Sequence, residues 1–153
     1  MSINNDKDFK VALAGLLLAH QRKMAVSFTR RVMDLCYDAR IKGVLLAAER
    51  ADITEPELLL AEHAAHQVRV RSFGECSHDT SWSLQAGHFV ATAAKFCVSV
   101  PAAGENIAWN AAMQARLART CQEAADGDGI INAESTAQYE LLESFLSAEG
   151  KTL

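Results

Sequence analysis

The stretch WSLQAGHFVATAAKFCV, residues Trp82–Val98, decides the fold class. On a helical wheel Gln85, His88, Thr92 and Lys95 recur at i, i+3, i+7 and i+10 and form one narrow polar stripe. Trp82, Ala86, Phe89, Val90, Ala93, Phe96 and Cys97 cover the rest of the circumference. A helix that is apolar over most of its surface belongs in the middle of a helical bundle. No segment of the chain shows sustained two-residue alternation with β-branched enrichment, so no strands are expected. The expectation is all-α: one bundle of six or seven helices without a sheet, spanning 1–153 as a single domain, with residues 1–6 as a loose polar arm.

Toward the N-terminus, a helical stretch is expected from about Asp8 to Tyr37, broken near His20. Met24, Ala25, Phe28, Val32, Leu35 and Cys36 share one stripe of it, opposite Lys23, Ser27 and Arg30. A shorter helix follows, roughly 39–51. Thr54-Glu55-Pro56-Glu57 is a start signal, because Thr54 can cap while Glu57 reaches back to it and proline is tolerated in a first turn. That helix is expected to run to Phe73, with Gly74–Asp79 as a connector and Thr80 or Ser81 opening the next.

Toward the C-terminus, a loop containing Pro101 precedes a long alanine-rich helix, about 105–125. Asp126-Gly127-Asp128-Gly129 is a turn, and Asn132 is expected to cap a last helix fading near Ala148.

Composition bounds the function. A chain of 153 residues with half its residues apolar can bury a core without disulfides or metal. Residues 1–77 carry 11 Lys/Arg against 10 Asp/Glu, and residues 78–153 carry 4 against 9. The one basic cluster, Arg22, Lys23, Arg30 and Arg31, is followed closely by Asp34 and Asp38. That balance argues against nucleic-acid binding. Cys36, Cys76, Cys97 and Cys121 stand far apart without a Cys-x-x-Cys pair, which favours a reducing, cytoplasmic setting. The run Val11–Ala19 mimics a signal-peptide core, but Asp6 and Asp8 argue against that, and no run reaches the roughly 18 apolar residues of a membrane span.

Two constellations invite chemistry. His63, His66, Cys76 and His78 offer zinc-type ligands, and Glu62 lies four residues before His66, where it can fix a tautomer for base catalysis. Their spacing matches no standard metal site, and two solvated histidines beside a glutamate explain them as well. Residues 124–135 resemble an EF-hand loop, with Asp126, Asp128 and Asn132 at positions 3, 5 and 9, but Ala124 and Ser135 replace the carboxylates at positions 1 and 12. A plain helix–helix turn that binds no calcium is the expectation. No cofactor is called for.

Gln85-Ala86-Gly87-His88-Phe89-Val90-Ala91-Thr92-Ala93 resembles a stretch of a family of immunity proteins from bacterial polymorphic-toxin systems. The features upstream come in a similar order: Phe28 to Leu35, Asp38-Ala39-Arg40, Val44 to Arg50, and Thr54 to His66. The likeness covers about residues 11–98. It departs at Ala94, where the family motif ends in a histidine, and residues 100–153 have no counterpart. It implies a small helical protein that neutralises a toxin by stoichiometric occlusion.

Three functions therefore stand. The first is a protein-partner-binding protein of immunity type, with Gln85, His88, Thr92 and Lys95 as candidate contacts. An acidic strip of Glu123, Asp126, Asp128, Glu134, Glu140, Glu143 and Glu149 would steer it onto a basic partner. The second is a metal- or small-ligand-binding protein or enzyme using the His63/His66 region. The third is a helical scaffold or homo-oligomer. His88 is expected to matter most among the histidines, facing either solvent or a groove between helices.

Overall fold

Side-chain caps start helices where the sequence places them. In the computed structural model, which describes residues 2–78, 81–127 and 133–151, Asn5 accepts from the Asp8 amide (2.9 Å), Ser81 from Leu84 (3.3 Å) and Asn106 from Trp109 (3.0 Å). Thr54 and Glu57 close the reciprocal box: Glu57 N donates to Thr54 Oγ1 and Thr54 N to Glu57 Oε1, both at 3.3 Å. Each such cap satisfies an amide that has no partner within its helix and contributes about 1 kcal/mol.

The helices so begun are α1 (Asp6–Ala14), α2 (Leu18–Arg30), α3 (Arg40–Glu49), α4 (Glu55–His78), α5 (Trp82–Val98), α6 (Ile107–Asp126) and α7 (Glu134–Lys151). One 3-10 turn, Met33–Leu35, lies between α2 and α3. No strand occurs among the described residues, so the all-α expectation holds.

α5 is the central helix. It packs against α2, α3, α4, α6 and the 3-10 turn. Its contact with α6 is close because the facing residues are small: Ala86, Ala93 and Ala94 on one side, Ala111, Ala115 and Ala118 on the other, all buried. A second cluster joins α1 and α7 to the bundle around Phe9, whose ring centroid lies 5.7 Å from Phe28, 6.1 Å from Trp109 and 5.1 Å from Tyr139.

Four expectations need correction. The first helical stretch breaks at Gly15–Leu17, not near His20, and α2 ends at Arg30 rather than Tyr37. The Gly15 amide folds back onto the Val11 and Ala12 carbonyls, and Leu17 is extended, so the chain turns between α1 and α2. α4 continues through Gly74 to His78, so Gly74–Ser77 is helix rather than connector. Residues 2–5 are no loose arm: Ile3 is buried in the Phe9 cluster, and its amide donates to Glu143 Oε1. Trp82, assigned to the apolar cover of α5, is exposed. Asp79, Thr80, Asp128 and Asn132 lie outside the described residues, and with them most of the EF-hand-like turn; Asp126 closes α6 and accepts from Gln122 Nε2 at 3.3 Å.

Candidate functional site

A cleft of about 500 Å³ opens where the 3-10 turn hands over to α3. Cys36 leaves the turn in an extended conformation (φ −114°, ψ 122°), which throws Tyr37 outward. Asp38 then folds onto the start of α3: its carboxylate accepts from the Arg40 amide (3.0 Å), Nε (3.0 Å) and Nη2 (2.7 Å). The Arg40 guanidinium holds the Asp38 carboxyl below the ordinary carboxylate range. This short-range clamp fixes one wall.

The opposite wall is the C-terminal half of α4, with Val68, Arg71, Ser72 and Glu75; the first turns of α5 supply Ser83, Leu84 and Gly87. Arg71 Nε and Glu75 Oε1 pair at 3.3 Å across one helical turn. Gly87 faces the 3-10 turn closely: a Cβ built there lies 3.4 Å from the Leu35 carbonyl oxygen and 3.8 Å from Cys36 Cα. That is ordinary contact, so the glycine accommodates the approach without being indispensable to it.

His88 stands just behind this cleft, in a groove against α4 rather than in open solvent. Ser72 Oγ lies within hydrogen-bond distance of both the Arg69 carbonyl (2.9 Å) and His88 Nδ1 (3.0 Å). The Phe73 ring lies 5.8 Å from the imidazole and Phe89 5.9 Å. Burial pushes the His88 pKa below that of a free imidazole, outweighing the Arg69 carbonyl, and the Arg69 charge adds to the lowering. Burial likewise raises the Cys36 thiol, which disfavours the reactive thiolate.

The other stripe residues are only partly drawn into this groove. Thr92 Oγ1 turns back to the His88 carbonyl (3.0 Å); Gln85 and Lys95 are half-buried. The four metal-type residues are not brought together. His63, His66, Cys76 and His78 all lie on α4, and the 15 residues from His63 to His78 span about 22 Å at 1.5 Å per residue, far beyond one ion's coordination shell. His63 instead meets Gln67 at 3.1 Å, and among the described residues no group of three or more metal-type side chains surrounds a common point. The mistaken connector was the cause: a loop after Phe73 would fold Cys76 and His78 back, and a helix cannot.

Neither charged surface read from the sequence survives as such. Glu134 is buried between Arg31 and Arg119, and Glu143 accepts from the Ile3 amide, so the acidic strip is interrupted. Of the basic cluster, Arg22 Nη1 caps the end of α5 through the Cys97 carbonyl (2.5 Å), Arg30 pairs with Glu49 (2.5 Å), and Arg31 holds Glu134.

Sequence reasoning missed the cleft walls, Leu35–Arg40 with Arg71, Ser72 and Glu75. The available signal was Asp38-x-Arg40 after an aromatic residue, which reads as a local ion pair with a side chain left over. That leftover matters. Among the described residues Tyr37 (87% exposed), Phe73 and Trp82 are the exposed tyrosine, phenylalanine and tryptophan side chains; Tyr37 lines the cleft, and Phe73 and Trp82 are next in sequence to its lining residues Ser72 and Ser83.

The fold and site thus define an all-α bundle with a cleft between the 3-10 turn, α4 and α5, lined by the exposed Tyr37. No known protein family matches the chain, and neither a curated protein nor a solved structure does.

Proposed function

We propose that the chain is a stoichiometric protein-binding domain whose partner docks over the cleft between the 3-10 turn, α4 and α5. The observation that carries this is the exposed Tyr37 in the wall of a cleft that Arg40 and Arg71 also line. Aromatic and arginine side chains are enriched at protein interfaces and dominate their energetics, because they bury large rigid areas at small entropic cost. The raised Cys36 thiol gives no support to a cysteine nucleophile. Four free cysteines suit a reducing compartment. Among the described residues no helix is long and apolar enough to cross a membrane.

The specific form favoured by the likeness of residues 85–93 is neutralisation of a toxin by occlusion. The test is to search the flanking genes for a toxin domain and to co-express this chain with any one found. Host growth should be protected and a one-to-one complex should be recovered. Tyr37→Ala and Trp82→Ala should each weaken that complex tenfold or more, which is about 1.4 kcal/mol. The absence of a toxin-type neighbour would refute the immunity form, and a complex indifferent to both substitutions would move the docking site elsewhere.

A further inference from the structure

α4 presents a second surface on its outer face, away from the Tyr37 wall of the cleft. Leu59, His63, His66, Val70 and Phe73 recur at alternating steps of four and three along its outer face, the spacing that keeps one seam facing a neighbouring helix. All five are exposed, Leu59 at 62% and Val70 at 55%, although the helix runs 24 residues, about 36 Å. The inner face of the same helix is spent on the core through Ala61, Ala65 and Val68. One edge of the seam carries Glu62 and, two turns on, Arg69, both partly buried; Glu62 lies near Arg22, and neither enters a salt bridge within 4 Å among the described residues.

From this pattern we infer that α4 is a homodimerisation helix, pairing antiparallel with α4 of a second copy about a two-fold axis between His63 and His66. A two-fold pairing must satisfy its own sequence, and this register does so. Leu59 falls opposite Val70 of the second copy, and Pro56 opposite Phe73, so apolar meets apolar. His63 falls opposite His66 at the centre, a polar layer of the kind that fixes register. Along the edge, Glu62 falls beside Arg69 of the second copy, and the symmetry makes that pair twice. Shifting the helices by one heptad in the other direction sets Arg69 beside Arg69, so charge selects the register. The acidic first half of α4 (Glu55, Glu57, Glu62) then lies along the half bearing Arg69 and Arg71. A second copy is the occupant because the complement of the seam is the seam itself, an isologous arrangement. The inference does not depend on the partner reading.

The experiment is sedimentation equilibrium of the full chain from low to high micromolar concentration, with matched circular dichroism for each variant. A reversible dimer is expected. Glu62→Arg and Arg69→Glu should each weaken it tenfold or more, and the double charge swap should restore most of the loss. Because Glu62 also lies near Arg22, Glu62→Arg risks the fold; Val70→Asp, at an exposed position, tests the seam without that risk and should give a monomer with unchanged helicity. A wild-type chain that stays monomeric throughout overturns the inference and leaves the face to some other partner. A dimer insensitive to Val70→Asp places the interface elsewhere and overturns it equally, and failure of the double swap to rescue rejects the register. Tyr37→Ala and Trp82→Ala lie off the seam and should leave the dimer intact, so loss of partner binding and loss of dimerisation are read separately.

Discussion

Glu134 Oε2 accepts a 2.7 Å hydrogen bond from Arg31 Nε, and its side chain is almost wholly buried while the guanidinium reaches solvent. Arg119 Nε approaches the other oxygen at 3.4 Å, so the first acidic residue of α7 is held by α2 and α6 together. Glu134 also lies at the N-terminus of α7, where a carboxylate complements the helix dipole. The hydrogen bond to Glu134 raises the Arg31 pKa despite partial burial.

Removing one partner of such a pair leaves a buried charge short of its counterion. Arg31→Ala is therefore expected to cost about 2–3 kcal/mol, below the 3–5 of a fully enclosed pair because Arg119 remains. Arg30→Ala, which breaks the solvent-exposed pair with Glu49, should cost at most about 1 kcal/mol. Urea unfolding of the two variants side by side checks the ranking; equal effects would show that Glu134 is adequately solvated without Arg31.

The Phe9 cluster offers a sharper contrast. Phe9 is fully buried among Phe28, Trp109 and Tyr139, so Phe9→Ala should destabilise by about 3–5 kcal/mol through lost transfer energy and the cavity left behind. Phe73→Ala, on the exposed face of α4, should change monomer stability by no more than about 0.5 kcal/mol. Chemical denaturation below the dimerisation concentration separates the two.

Acid stability should report on Asp6. Hydrogen bonds from Arg116, at 2.8 and 2.9 Å, lower its carboxyl pKa most, with a further contribution from Tyr139 Oη at 2.6 Å. A depressed folded-state value means the stabilisation is present above the ordinary carboxyl value of 3.8 and is lost as pH falls through the lowered one. Asp6→Asn should flatten the stability–pH curve in that acidic window while leaving its shape near neutrality unchanged. A curve that keeps its acid limb would assign that limb to other carboxylates.

His88 works in the same direction at milder pH. Its folded-state value lies below 6.5, chiefly through burial, so charging it opposes the folded state. Stability contributed by the neutral ring is present above 6.5 and is lost as pH falls toward the folded value. Following the His88 ring protons by NMR should give a midpoint below 6.5, and Ser72→Ala, which removes the 3.0 Å partner of Nδ1, should shift it. A midpoint at or above 6.5 would mean that the groove is wetter than its packing against Phe73 and Phe89 implies.

Much of the fold was legible because its causes are local. Thr54, Ser81 and Asn106 can cap only the amides just after them, and Ala86, Val90, Ala93 and Cys97 recur with the helical period, so helix starts and the buried face of α5 follow from spacing alone. The failures have a common physical origin. Gly74 costs roughly 1 kcal/mol relative to alanine in a helix, which reads as an end, yet the preceding Val68 and the partly buried Ser72 and Cys76 hold α4 against the core and carry the helix past it.

What the sequence determined by itself is the all-α class, most helix starts and the central burial of α5, each set by interactions within a few residues. Only the tertiary structure decided that Glu134 is a buried counterion to Arg31, that His63 and His78 stand two rigid helical turns and more from any shared site, and that Tyr37 faces Arg71 and Ser83 across one cleft. Those relations join residues far apart in the chain. They depend on how the helices cross, and helix crossing is settled by the packing of whole faces rather than by any single segment.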